Sequence, residues 1–325
     1  MISMETNYLG LTLKNPIIIG SCGLTNSYEK IKEFDNMGAG AVVLKSLIEE
    51  QINLEAGSMI QEQSHSEADD YILSYTKSKT IDDYISLIEK CKKNITIPII
   101  ASINCISSSD WVQFAKRIED AGADALELNL FYLPMDKNAK AEDFENIYFE
   151  LVSKIKKDIK IPISIKLSPY FTNVLNMVNR LHNADVKGVV LFNRFYEPDI
   201  DIERMEFRSA EVFTSANAIR QSLRWVGIIS SKINNIDIAS STGVHSGEAA
   251  IKMLLAGATV VQAASVFYKN GAVYVEKMLK DMESWMRRHN YKNIQEFRGK
   301  MSYNQFDDAS YYERSQFIRY FASID

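Results

Sequence analysis

Eight short apolar runs constrain the fold more than anything else in this chain. They are "PIIIGS" (16–21), "AVVLKS" (41–46), "PIIASIN" (98–104), "ALELNL" (125–130), "PISIKLS" (162–168), "GVVLFN" (188–193), "DIASST" (237–242) and "TVVQAAS" (259–265). Each is rich in Val, Ile or Leu and nearly continuous in apolar character, the pattern of a strand buried on both faces of a parallel sheet. Amphipathic helical patterns lie between them. In "SSDWVQFAKRIEDAG" (108–122), Ser109 or Asp110 caps the start and Gly122 follows the last turn. "SGEAAIKMLLAG" (246–257) repeats the device with Ser246 and Gly257. Glycine-alanine turns at 38–40, 121–123 and 256–258 fit tight connections back into the sheet. Eight strand–helix repeats predict an α/β chain with a (β/α)8 (TIM) barrel in a single domain spanning 1–325. A doubly wound sheet is the alternative; no GxGxxG follows the first strand to support it. The aromatic-rich tail from about 285 to 325 is expected to pack on the barrel.

Composition removes several classes of function. Of 325 residues, 46% are hydrophobic and 24% charged, and the net charge is −5, so neither nucleic acid nor an anionic membrane is an expected partner. No apolar run approaches the length of a membrane-spanning helix, and "MISMETNYLG" lacks the features of a signal peptide. Cys22, Cys91 and Cys105 show no CxxC spacing, which predicts reduced thiols in a cytoplasmic protein. The four histidines are scattered without HExxH, so no metal is expected.

In a barrel, the last residues of every strand meet at one mouth. Here that set comprises Lys45 and Ser46, Asn104, Asn129, Lys166, Asn193, and the small residues of "SSTGVHSG" (240–247) and "AAS" (263–265). Taken singly, an asparagine after a strand is a turn former and a lysine is an edge residue. Taken together, two lysines interrupt strands that a barrel would bury, and unpaired buried ammonium groups are costly. The last two strands add backbone N–H groups, hydroxyls and a helix N-terminus, the usual barrel site for a phosphate. A phosphorylated ligand is therefore expected. Two long connections, 47–79 and 194–215, follow strands and fall on the same face, where long loops are usually functional.

At this point the chain resembles a known family. "NPIIIGS", "GAGAVVLKS", "ELNL", "IKLSPYF", "STGVHSGEAAIKMLLAGATVVQAAS" and "NIQEFRG" occur in the order found in class 1 dihydroorotate dehydrogenases. The resemblance implies an FMN-dependent barrel that oxidises dihydroorotate to orotate in pyrimidine synthesis. It places the flavin against Gly20 and Ser21, with Lys45 and Ser46 near flavin and substrate. Asn104, Asn129 and Asn193 join the cofactor site, and Lys166 stabilises negative charge on the reduced ring. The phosphate falls to Thr242, Gly243, Val244, Ala264 and Ser265. Lys45, Asn129 and Asn193 are the implied substrate contacts, and Lys45 and Lys166 join the catalytic set.

The substrate side departs from the family. After "ELN" the family continues Leu-Ser-Cys-Pro-Asn; this chain reads "LFYLP", with Tyr132 at the base position and Pro134 in place of the asparagine. The family's "NSMGLPN" corresponds to about "SHSEADDY" (64–71), and Asn193 is followed by Arg194 and Phe195 rather than by small residues. A cysteine offers a few per cent thiolate at neutral pH, a tyrosine roughly a thousandth as phenolate. Tyr132 is thus a poor base and a fair acid, or it fills the mouth; Cys105 is a second candidate base. Three readings stand beside dihydroorotate oxidation. They are a flavin-dependent reductase of another activated C=C bond with Tyr132 as proton donor, a flavin-binding protein without catalysis, and a Schiff-base lyase using Lys166. The expected partners are a small-molecule substrate, an electron acceptor of unknown kind and a second copy in a homodimer.

Overall fold

A computed structural model of the chain describes residues 2–48, 66–104, 110–194, 197–209, 211–305 and 311–313. Its strands are β1 (Thr6–Tyr8), β2 (Leu11–Leu13), β3 (Ile17–Ile19), β4 (Ala41–Val43), β5 (Leu47–Ile48), β6 (Ile99–Asn104) and β7 (Ala125–Asn129). They continue with β8 (Ile163–Leu167), β9 (Gly188–Leu191), β10 (Pro198–Asp201), β11 (Glu206–Ser209), β12 (Asp237–Ser241) and β13 (Val260–Ala263). The α-helices are α1 (Tyr28–Asn36), α2 (Ser66–Asn94), α3 (Asp110–Asp120), α4 (Ala141–Ile155) and α5 (Val174–Asn183). They are followed by α6 (Ile219–Lys232), α7 (Gly247–Ala256), α8 (Ser265–Asn270) and α9 (Tyr274–Arg288).

The expected strands pair in parallel in the order β3, β4, β6, β7, β8, β9, β12, β13, and β13 returns to β3 through Val261–Ile17 and Gln262–Ile18. The sheet is therefore a closed eight-stranded barrel. Closure removes both sheet edges and lets each strand bury two faces. The outer face packs under the helices, and the start and stop read at Ser246 and Gly257 hold, while the cap read at Ser109 or Asp110 rests on side chains outside the described set. Ser246 Oγ accepts from Ala249 N at 3.1 Å, and Gly257 ends α7 at φ 114°.

Inside, Ile18, Ala41, Val43, Ile100, Ala125, Val190, Ala239 and Val260 form an apolar layer, capped by Tyr8, Leu9 and Leu13. Those three come from the antiparallel β1–β2 hairpin, which plugs the N-terminal end. Its turn residues Leu9 and Gly10 both take positive φ (56° and 78°), the backbone of a tight hairpin turn. Asp237 Oδ2 accepts from Leu9 N at 2.7 Å and holds the plug to β12. With that end sealed, a ligand reaches the interior from the opposite mouth.

Three features depart from the sequence reading. The β1–β2 plug went unread. The long connection 47–79 is not loop throughout: β5 opens it and α2 begins at Ser66, while residues 49–65 lie outside the described set. The connection 194–215 carries the β10–β11 hairpin, with Ile200, Met205 and Phe207 exposed. The tail packs against α7 through Gly299 N to Leu254 O (2.9 Å) and Met301 N to Leu255 O (2.8 Å); residues 306–310 and 314–325 lie outside the described set. No helix among the described residues is long and apolar enough to cross a membrane.

Candidate active site

A cavity of about 620 Å³ opens at the C-terminal mouth of the barrel. Its wall is built by strand ends: Gly20 and Ser21 after β3, Lys45 and Ser46 after β4, Asn104 on β6, Asn129 on β7, Lys166 on β8 and Asn193 after β9. Thr242, Gly243 and Val244 follow β12, and Ala264 and Ser265 follow β13. Every cofactor-contact residue expected from the sequence thus lies in one wall. Among the described residues the wall holds three cations, Lys45, Lys166 and Arg194, and no carboxylate.

At one end the backbone turns sharply, at the place where the sequence puts a phosphate. Thr242 and Gly243 take successive positive φ values of 77° and 82°. Thr242 Oγ1 donates to Phe192 O at 3.0 Å and holds that strained backbone. Gly243 faces the start of α6, where a Cβ would lie 2.2 Å from Ile219 N. Ser265 Oγ accepts from Thr214 N at 3.1 Å, and Thr214 Oγ1 pairs with His245 Nε2 at 2.8 Å. Burial, and secondarily the nearby Lys269, hold the His245 imidazole below its ordinary value.

At the other end the polar groups are fixed by one another. Asn193 Nδ2 donates to Asn129 Oδ1 at 2.7 Å, leaving Asn129 Nδ2 and Asn193 Oδ1 for a ligand. A hydroxyl chain links Ser21 Oγ to Ser46 Oγ (3.0 Å) and Ser46 Oγ to Ser102 Oγ (2.7 Å). Gln262, 1% exposed, reaches the wall from β13, and its Oε1 has no partner among the described residues. Sequence reading passed over Gln262 and its partner Glu127. The signal was available, since each interrupts an apolar strand just as the lysines do.

A family model described as dihydroorotate dehydrogenase matches residues 3–286. The chain belongs to the dihydroorotate dehydrogenase family. Similar curated proteins include the catalytic subunit of dihydroorotate dehydrogenase B (NAD(+)) from Thermoplasma acidophilum, 27% identical over 92% of this chain and 99% of that protein. The same subunit from Methanocaldococcus jannaschii is 27% identical over 88% of this chain and 94% of that one. Dihydroorotate dehydrogenase (fumarate) from Lachancea kluyveri is 24% identical over 92% and 98%. Among solved structures, DHODH from Eimeria tenella in complex with ferulenol superposes with a TM-score of 0.64 at 14% identity, covering 91% of this chain and 88% of that one. That likeness supports the barrel fold. The dihydroorotate dehydrogenase family is flavin-dependent and acts on CH–CH bonds.

The residue at the family's base position lies apart from the cavity wall. Tyr132 is half-buried and packs edge-on to Tyr148 of α4, with ring centroids 6.1 Å apart. Tyr148 packs in turn on Phe171 at 5.6 Å and donates to Leu130 O at 3.2 Å. Phe131 lines the cavity instead. Cys22 is in the wall, and burial pushes its thiol up. Cys105 and residues 64–65 lie outside the described set, and of the rest of "SHSEADDY" the backbone of α2 is described.

Proposed function

We propose that this chain binds FMN at the barrel mouth and is the catalytic component of an FMN-dependent oxidoreductase acting on a CH–CH bond. Dihydroorotate to orotate is the reaction to test first. The observation that carries this reading is the single wall that unites the Thr242–Gly243 cradle with Lys45, Lys166 and three asparagines. Its chemistry fits the group. The backbone N–H groups around Thr242 and Gly243, with Ser265, would hold a phosphate, and Asn104, Asn129 and Asn193 offer donors and acceptors to the edge of a heteroaromatic ring. Bound flavin would supply a two-electron acceptor. Lys166, 8% exposed, is a fixed cation that favours negative charge on a ring beside it. Lys45, Asn129 and Asn193 would orient the substrate.

We read Tyr132 as a side chain that fills the gap between β7 and α4; its packing on Tyr148 supports this. A proton-donor role would require the ring to leave that contact. The loss of the family's base from "LFYLP" also supports a second reading, reduction of another activated C=C bond by the same flavin site. We further propose a single domain over 1–325 and cytoplasmic location. The relatives named as catalytic subunits support a partner subunit that passes electrons onward, and a homodimer is the assembly to look for. The test is the absorption spectrum of purified protein followed by anaerobic titration with dihydroorotate. Flavin bands that bleach on titration support the first reading, and bands that stay unbleached favour the second. A colourless protein trapped with substrate by borohydride at Lys166 would replace both with Schiff-base chemistry.

A further inference from the structure

Below the cavity, the barrel interior holds an unusual set of polar groups. Glu127 on β7 is fully buried, and Gln262 Nε2 donates to its Oε2 at 2.6 Å. The other carboxylate oxygen, Oε1, has no hydrogen-bond partner among the described residues, nor has Gln262 Oε1. The register pairs Glu127 with Ser164 and Asn129 with Lys166, so Glu127 lies one inward-facing step below Lys166 on the neighbouring strand. Lys166 is the one buried cation among the described residues. Tyr8 and the N-terminal plug close the space from beneath.

A carboxylate oxygen without a hydrogen-bond partner and a buried ammonium in one low-dielectric space each carry a desolvation penalty that the other offsets. Gln262, by occupying Oε2, leaves Oε1 as the free face of the carboxylate. Burial drives the Glu127 carboxyl up and Lys166 pulls it down, so the two groups sense one another across the interior.

We propose that Glu127, held by Gln262, is a positioning residue that sets how much of the Lys166 charge reaches the cavity, and through it the electron affinity of the bound flavin. This rests on the FMN reading above and adds a residue that does not itself touch the cavity. Removing the carboxylate charge should free Lys166 to act more strongly on the ring.

The test uses the full chain loaded with FMN and measures sulfite affinity, which rises as a flavin becomes electron-poor, together with the midpoint potential. Glu127→Gln should bind sulfite about tenfold more tightly, the scale of one unit of charge-coupled equilibrium, and its potential should rise. Lys166→Ala should move both the other way. The double variant should match Lys166→Ala alone, because Glu127 acts through the lysine. An unchanged sulfite affinity in Glu127→Gln overturns the proposal. So does a gain that persists in the Lys166→Ala background, because Glu127 would then act directly. Should the Gln variant fail to fold, Glu127→Asp decides; it keeps the charge but draws it back, and must tighten sulfite binding in the same sense by a smaller factor. Protein that takes up no FMN refutes the functional reading and this inference together. Protein that takes up FMN but shows no Glu127–Lys166 coupling refutes this inference alone.

Discussion

Replacing Gly243 by alanine tests the phosphate cradle at its tightest point. At φ 82° an L-residue costs about 1–2 kcal/mol more than glycine. The added Cβ would also meet Ile219 N at 2.2 Å, Ile219 Cα at 2.7 Å and the Ala218 carbonyl carbon at 2.8 Å, all backbone atoms at the start of α6. Backbone cannot swing aside as a side-chain tip can, so the loop and helix must separate by about 1 Å, at roughly 1–3 kcal/mol of overpacking. The combined penalty of about 2–5 kcal/mol falls on the backbone N–H groups proposed to hold the phosphate. At 1.4 kcal/mol per tenfold, FMN affinity should fall by about thirtyfold or more. Fluorescence titration of flavin-free protein with FMN measures this, and a thermal melt reports the structural cost separately. Thr242→Gly is the control. It relieves about 1 kcal/mol of left-handed strain and loses the Thr242 Oγ1 to Phe192 O bond (3.0 Å), worth a similar amount. Its FMN affinity should stay near wild type. A Gly243→Ala protein that holds FMN within threefold of wild type would refute the placement of the phosphate.

Tyr132→Phe keeps the ring against Tyr148, so turnover should stay within about twofold of wild type; a loss of about 10²–10⁴-fold would make the hydroxyl a general acid. Lys166→Ala should lower the flavin potential and slow its reduction more than it weakens FMN binding, read by dye-coupled redox titration. Tyr84→Phe should destabilise the fold by about 2–4 kcal/mol in a denaturant melt. The buried hydroxyl accepts from Ser102 N (2.8 Å) and donates to Ser102 O (3.1 Å), and both would lose their partner. Glu127 should penalise stability as pH rises. Its folded value lies above the ordinary 4.5, so its contribution is full below 4.5 and is lost as pH climbs through the folded value. Glu127→Gln should therefore gain melting temperature over wild type as pH rises above 4.5 in flavin-free protein, and a constant gap would argue against a raised carboxyl.

The sequence by itself determined the barrel and most of its mouth. Strand and helix periodicities are local properties, and in a parallel barrel every strand ends at the same face. Naming the strand ends therefore named the cavity wall, from Gly20 to Ser265. The small residues of "STGV" and "AAS" could be read as a cradle because only small side chains let backbone approach a ligand. What lay beyond reading was anything fixed by contacts between distant segments. Leu9 plugs the barrel because Asp237, far along the chain, holds its N–H. Gln262 meets Glu127 only because closure sets β13 and β7 around the same interior. The direction of Tyr132 could not be derived either. Alternation between inside and outside ends with β7 at Asn129, and past that point the ring turns toward Tyr148 of α4, a neighbour supplied by tertiary packing. Local pattern places a residue at the mouth. Which way its side chain faces, and what charge lies beneath it, follow from closure of the barrel, because closure alone brings those strands and helices together.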